Sequence, residues 1–180
     1  MNLIILPGNS QRNREWGLAA RAAYENRFEQ IYNHEYLHWQ TGEPNINLEA
    51  ELERLTLAVA DWREPYRICA KSIGSLLAVL GTARGRLVPE RCLFAGMPLD
   101  WTEAKNWEWE EWLKLFHPPS VVIQNDADPY ATASTVALMI AKLNQTNLTL
   151  ITTPGADHDY LDFELINRVS NNFLTQNHLL

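Results

Sequence analysis

Short apolar runs rich in Ile, Val and Leu alternate along the chain with longer stretches in which apolar residues recur every three or four positions. The first pattern belongs to strands buried on both faces and the second to helices with one buried face. Their alternation predicts a parallel sheet joined by crossover helices. Six runs read as strands, at 2–6, 28–33, 66–70, 91–96, 120–125 and 147–152. The clearest helix is NLEAELERLTLAVADW at 47–62. Asn47 can cap its first turn, Leu48, Leu52, Leu55 and Val59 share one face, and Glu49, Glu51 and Glu53 fall to the solvated part. A last helix at 162–174 carries a similar stripe in Phe163, Ile166, Val169 and Phe173. Right-handed crossovers then give an α/β fold, a doubly wound, mostly parallel six-stranded sheet with helices on both faces. TGEPN at 41–45 reads as a surface loop, and without a repeat or a linker the chain reads as one domain, 1–180.

Composition narrows the setting. A chain of 180 residues suits one domain that buries about 70% of its unfolded surface. With 46% hydrophobic and 21% charged residues and no long apolar stretch, it reads as a globular protein without a membrane span. The N-terminus MNLIILPGNS lacks the features of a signal peptide, so a cytoplasmic location is expected. Cys69 and Cys92 sit in apolar runs and read as buried thiols. A net charge of -7 without clustered Lys and Arg speaks against a nucleic-acid partner.

The chemistry enters at YRICAKSIGSLLAVL, 66–80, where only four residues separate a strand pattern from a helix pattern. A serine at such a sharp strand-to-helix turn holds its hydroxyl above the sheet, beside the first amides of the helix. The turn needs small residues two before and two after the serine, here Ala70 and Gly74. The plain alternative is that Ser72 is only a helix N-cap. VVIQNDADPYA at 121–131 is an apolar strand ending in acids before Pro129, and LTLITTPGADHDYLDF at 148–163 is a last strand followed by a loop with His158. Asp126, Asp128, Asp157 and Asp159 can equally be turn formers, and His158 an exposed loop histidine. A cation held by the acids and His158 is a further reading, although it leaves Ser72 unexplained.

These stretches together resemble the α/β-hydrolase superfamily. Its nucleophile elbow usually reads G-x-S-x-G, and this chain reads A-K-S-I-G. The order serine, acid, histidine, each after a different predicted strand, is also that of the superfamily. Asp128 follows Ser72 by 56 residues and His158 follows Asp128 by 30, room for the intervening elements. The chain begins at the strand that leads to the superfamily's oxyanion loop, so the resemblance implies a minimal core. It looks most like the small, lidless serine hydrolases related to retinoblastoma-binding protein 9. By position Asp128 matches the triad acid, Asp126 is the runner-up, and Asp100 after the fourth strand occupies a place where some members keep theirs.

The resemblance implies that Ser72 is the nucleophile, His158 the base, and Asp128 the group that orients the imidazole. It places oxyanion donors at the amides of Ile73 and Asn9, with Ser10 as an alternative and Gly8 permitting close approach of substrate. An ordinary turn with Ser10 or Asn13 capping the next helix is the plain reading of that loop. The substrate implied is a small-molecule ester or other acyl compound, with no cofactor and no metal. DWTEAKNWEWEEWLKLF, 100–116, is not explained by the superfamily pattern. As one helix it would group Trp101, Trp109, Trp112 and Leu113 on a face opposite its acids. Three readings stay open for segment 101–112: packing on the sheet, an aromatic wall over the active site, or a surface for a protein partner. Trp101 and Tyr130 are the residues expected to contact substrate, and Tyr160 can also narrow the pocket. The other reading of the chain is a non-catalytic binding protein on the same fold.

Overall fold

A computed structural model of the chain describes residues 1–43 and 46–176. The expected loop at 41–45 therefore lies partly outside the described residues. Six strands form one sheet, β1 (Asn2–Leu6), β2 (Gln30–Asn33), β3 (Tyr66–Lys71), β4 (Cys92–Ala95), β5 (Ser120–Asn125) and β6 (Leu148–Thr153). Their order is β2-β1-β3-β4-β5-β6, and every pair is parallel. The helices are α1 (Asn13–Tyr24), α2 (His38–Thr41), α3 (Leu48–Ala58), α4 (Ile73–Ala83), α5 (Leu99–Ala104), α6 (Trp109–Lys114), α7 (Ala133–Lys142) and α8 (Phe163–Val169).

Strand periodicity divides the core in two. Leu3, Ile5, Cys69, Leu93, Val121 and Ile123 face α1 and α8, where Trp16, Tyr24, Phe163 and Ile166 cover them. Their neighbours Ile4, Leu6, Ile68, Ala70, Phe94 and Val122 face the other side, under α3, α4, α6 and α7. Alternate residues of a strand point to opposite faces, so apolar residues at every position require cover on both sides. Each fully buried Leu, Ile or Phe contributes about 1.5–3 kcal/mol. The doubly wound sheet follows from that demand.

Several expected boundaries shift, each for a local reason. Phe28 is buried but precedes β2, and Arg91 and Gly96 flank β4 instead of belonging to it. Gly96 has φ 66°, which takes the chain out of the sheet. The helix expected to run to 174 ends at Val169, and Asn171 and Asn172 follow with positive φ. Asn47 does cap α3, its side chain accepting from the amide of Ala50 at 3.1 Å. Glu51 corrects the expectation of a solvated face, because it is 2% exposed and ion-paired with His34 at 2.9 Å. The tryptophan segment is two short helices, α5 and α6, not one. Trp109 and Leu113 are buried, and Trp101, Trp107 and Trp112 pack partly buried against the same core.

The sequence runs outward from β1 to β2 and then returns past β1 to β3, so the winding reverses between β1 and β3. Ligands in open α/β sheets bind beyond the carboxyl ends of the strands at this switch point. The loop Pro7–Arg12 and the β3–α4 turn at Ser72 lie side by side there, since Leu6 is in register with Ala70. Among the described residues no helix is long and apolar enough to cross a membrane.

Candidate active site

Ser72 occupies the turn from β3 into α4 with φ 52° and ψ -121°, a conformation that L-residues other than glycine seldom adopt. Its amide donates to Ala95 O at 3.0 Å, and its carbonyl accepts from the amide and hydroxyl of Ser75 at 2.9 and 2.6 Å. The backbone is thus held on both sides of the strained residue. The N-cap reading does not describe it, because the Ser72 side chain makes no capping hydrogen bond. Gly74 explains the small-residue requirement: a Cβ there would stand 2.1 Å from the carbonyl oxygen of Leu6 in β1. Ile73 opens α4, and its amide is one of the four that no helix can satisfy internally.

Asp128 lies beyond β5 and is buried. Its Oδ2 accepts from His158 Nδ1 at 2.6 Å and from the Tyr160 hydroxyl at 2.6 Å, and its Oδ1 accepts from the amide of Tyr130 at 2.8 Å. Burial alone would raise this carboxyl. The donors His158, Tyr160 and the Tyr130 amide outweigh it and hold Asp128 below the ordinary carboxylate range. The other candidate acids are placed elsewhere. Asp126 is exposed and accepts the amide of Gly155, in the loop after β6, at 3.0 Å, whereas Asp157 accepts the amide of Asp159 at 2.9 Å as a turn former. Asp100 is exposed at the start of α5.

His158 presents Nδ1 to Asp128, which leaves Nε2 as the nitrogen free for chemistry. That atom is buried and has no hydrogen-bond partner among the described residues. Among the described residues no hydrogen bond joins it to Ser72. Gly96 makes room for the imidazole, since a Cβ at that position would come within 2.7 Å of the His158 ring. Ser72 and His158 line one cleft of about 180 Å3 with Asn9, Ser10, Asn13, Pro98, Trp101 and Tyr130. The Tyr130 ring is 4.6 Å from the imidazole and is 46% exposed at the mouth. A larger cleft of about 820 Å3 lies between α5–α6 and α7, lined by Asp100, Trp107, Trp109, Glu110 and Lys142, and contains none of these reactive groups.

Two residues carry more than the sequence suggested. Tyr160, expected only to narrow the pocket, has φ 51°, and its hydroxyl accepts from the Asn125 amide at 2.9 Å while donating to Asp128. Burial is the main cause that pushes its phenol well up, so it stays a donor. Tyr160→Phe is expected to lower turnover about ten-fold, the worth of one hydrogen bond to a charged group. Steady-state kinetics on an ester check this, and an unchanged kcat would remove Tyr160 from the support of Asp128. Lys71, beside the serine, is 4% exposed and donates to Asn13 Oδ1 at 2.6 Å. Burial pushes its ammonium down to about 8, against the pull of Asp159, Asp128 and Asp157. Asn13 in turn lies against Gly8, where a Cβ would meet its amide at 2.7 Å, and donates to Ser10 O at 3.2 Å.

Glu51 shares the electrostatic character of Asp128. Burial raises it, but the hydrogen bonds from His34 and the Leu37 amide and the charges of His34 and Arg54 bring it below the ordinary value. Both carboxyls bind protons less readily folded than unfolded. Their contribution to stability is therefore complete above the unfolded carboxyl pKa, about 4, and lost as pH falls through the lowered folded values. The thermal midpoint is expected to fall as pH drops below about 4, and Asp128→Asn should flatten that fall. A wild-type midpoint indifferent to acid would contradict the assignment.

No family model matches the sequence, and no curated protein matches it. Solved structures do. Est1E from Butyrivibrio proteoclasticus, solved with ferulic acid bound, is 15% identical with a TM-score of 0.69, over 97% of this chain and 88% of that one. An esterase of Pyrococcus furiosus is 13% identical with a TM-score of 0.73, over 94% of this chain and 80% of its own. A Xanthomonas campestris protein placed among hydrolases of the alpha/beta superfamily is 12% identical with a TM-score of 0.66, over 96% of both chains. At these identities the likeness concerns the fold, and the chain has the α/β-hydrolase fold.

Proposed function

We propose that the chain is a serine hydrolase that cleaves a carboxylic ester or related acyl compound through an acyl-enzyme on Ser72. The observation that carries this reading is the His158 imidazole. It is fixed through Nδ1 on Asp128 at 2.6 Å, with Nε2 unpartnered among the described residues, in the cleft that also holds the uncapped hydroxyl of Ser72. As Ser72 Oγ bonds to the substrate carbonyl carbon, its proton passes to His158 Nε2 and the carbonyl oxygen becomes an oxyanion. The amides of Ile73 and Asn9 hold that charge. Collapse breaks the bond to the leaving alcohol, which takes the proton from His158, and water repeats the sequence to release the acid. Asp128 orients the imidazole and stabilises its cation throughout. For the cation reading of the acids around His158, no group of three or more His, Cys, Asp or Glu placed to hold a metal ion is found among the described residues.

The cleft sets the acyl group. A cavity of about 150 Å3 takes one benzene ring, so about 180 Å3 between Trp101, Pro98 and Tyr130 suits a short acyl chain or a single ring. On p-nitrophenyl esters, kcat/KM should rise from acetate to butyrate by up to about four-fold per buried methylene and then level off. A continued rise to octanoate would mean that the acyl site lies elsewhere. The competing reading, a binding protein that presents tryptophans, is not favoured by the packing of segment 101–112. Labelling with a fluorophosphonate probe, mapped by peptide mass with Ser72→Ala as control, tests the proposal. Modification at Ser72 alone is expected, and a folded protein that stays unmodified overturns it.

A further inference from the structure

The loop that carries Gly8, Asn9 and Ser10 is gripped from behind by three aromatic side chains that no step of the hydrolysis uses. The Tyr36 hydroxyl donates to Pro7 O at 2.7 Å, and His38 Nε2 and Trp39 Nε1 both donate to Asn9 O, at 2.8 and 2.6 Å. A carbonyl accepts only, so His38 must carry its proton on Nε2. Tyr36 stacks on His38 at 5.6 Å and meets Trp39 edge-on at 5.1 Å, so the three rings form one packed unit. Two good donors on one carbonyl fix the plane of the Asn9–Ser10 peptide, and the Tyr36 contact does the same for Pro7–Gly8. The Gly8–Asn9 peptide between them, which bears the Asn9 amide, is thereby held at both ends.

The unit has a foundation inside the protein. Glu51 of α3 accepts the Leu37 amide on Oε1 at 2.6 Å, and on Oε2 it accepts His34 Nε2 at 2.9 Å and Arg54 Nη1 at 2.7 Å. Arg54 also donates to Glu35 O at 3.1 Å. One buried carboxylate thus fastens the whole segment 34–37 from which the aromatic unit extends. Burying a charge is costly unless its bonds are satisfied. A purely structural loop after β2 could be held by apolar packing without that cost.

We propose that Tyr36, His38 and Trp39, footed on Glu51, are positioning residues that set the loop after β1 in the geometry an oxyanion donor needs. The inference rests on the hydrolase reading above, since an oxyanion forms only if Ser72 attacks an acyl carbon. Loss of a donor in such a hole lowers kcat by about 10²–10³, and loosening its support should cost part of that. His38→Leu and Trp39→Phe are expected to lower kcat about ten-fold or more, with KM changed less than about two-fold. His38→Gln, which can place an amide N–H where Nε2 stands, should recover most of the loss.

The experiment measures kcat and KM on a p-nitrophenyl ester for these three variants and the wild type, and amide hydrogen exchange over residues 7–12 by mass spectrometry. Low kcat at unchanged KM, rescue by His38→Gln and faster exchange over that loop support the proposal. Wild-type kcat in both His38→Leu and Trp39→Phe, or equal losses in His38→Leu and His38→Gln, overturn it. Should His38→Leu fail to fold, Trp39→Phe against the wild type decides alone. A wild-type protein that neither hydrolyses esters nor labels at Ser72 is failure of the hydrolase reading. Exchange over 7–12 would then report whether the aromatic unit holds the loop at all.

Discussion

Replacing Asp128 by asparagine is expected to lower kcat about ten-thousand-fold while leaving a folded, cooperatively melting protein. The carboxylate receives three donors, from His158 Nδ1, the Tyr160 hydroxyl and the Tyr130 amide. An asparagine of the same shape can keep some of these, but where its NH2 group faces the imidazole it makes Nδ1 an acceptor. The proton then sits on Nε2, the nitrogen that must accept the serine proton, so the base is lost. The imidazolium that forms during attack also loses its counter-charge. Asp126→Asn is the matched control, because that carboxylate is exposed and accepts the amide of Gly155, away from His158. Its kcat should stay within about two-fold, the change expected of a peripheral contact. Steady-state kinetics on both variants decide the matter. A large loss in Asp126→Asn with little in Asp128→Asn would transfer the role to the other acid.

Gly74→Ala is expected to destabilise the fold by about 4 kcal/mol or more, at the far end of single-substitution effects. The added Cβ would meet the backbone of Leu6, at 2.1 Å from its oxygen and 2.7 Å from its carbonyl carbon. Leu6 belongs to β1, which is paired on both sides, by β2 and by β3. It can yield only if the sheet or α4 shifts. Overpacking of an ordinary core site costs about 1–3 kcal/mol because side chains can adjust, and here the obstacle is main chain. Gly8→Ala is the comparison: its Cβ meets the end of the Asn13 side chain, which can swing aside. Urea unfolding of the two variants should therefore separate them widely. A Gly74→Ala protein within about 1 kcal/mol of wild type would show that the close approach of α4 to β1 is not required.

Much of this architecture was legible in the residues because it is written in local pattern. Apolar runs at the six strand positions require cover on both faces, and that requirement alone leads to a doubly wound parallel sheet. The elbow was legible for the same reason, since a serine between a strand and a helix with Ala70 and Gly74 around it has few conformations open to it. The choice of Ser72, Asp128 and His158 came from the resemblance, with Asp126 and Asp100 left open, and the fold brings Ser72 and His158 into one cleft with Asp128 bonded behind.

What the pattern could not contain is which side chains meet across elements. Glu51 sits at a helix position that reads as solvated, yet α3 turns it inward onto His34, 17 residues earlier. Tyr160 reaches Asn125 and Asp128 from another loop, and Tyr36, His38 and Trp39 find carbonyls nearly thirty residues upstream. The tryptophan segment gave one amphipathic stripe on paper and two short helices in space, with Trp101 at the cleft and Trp109 in the core. Periodicity reports how a residue faces its own helix or strand. Hydrogen-bond partners and buried charges depend on where the other elements have been carried: local pattern sufficed for the sheet and the strand–serine–helix turn, whereas the contacts of Asp128 with His158 and Tyr160 and the grip of Tyr36, His38 and Trp39 on the loop after β1 arise from the packing of distant elements.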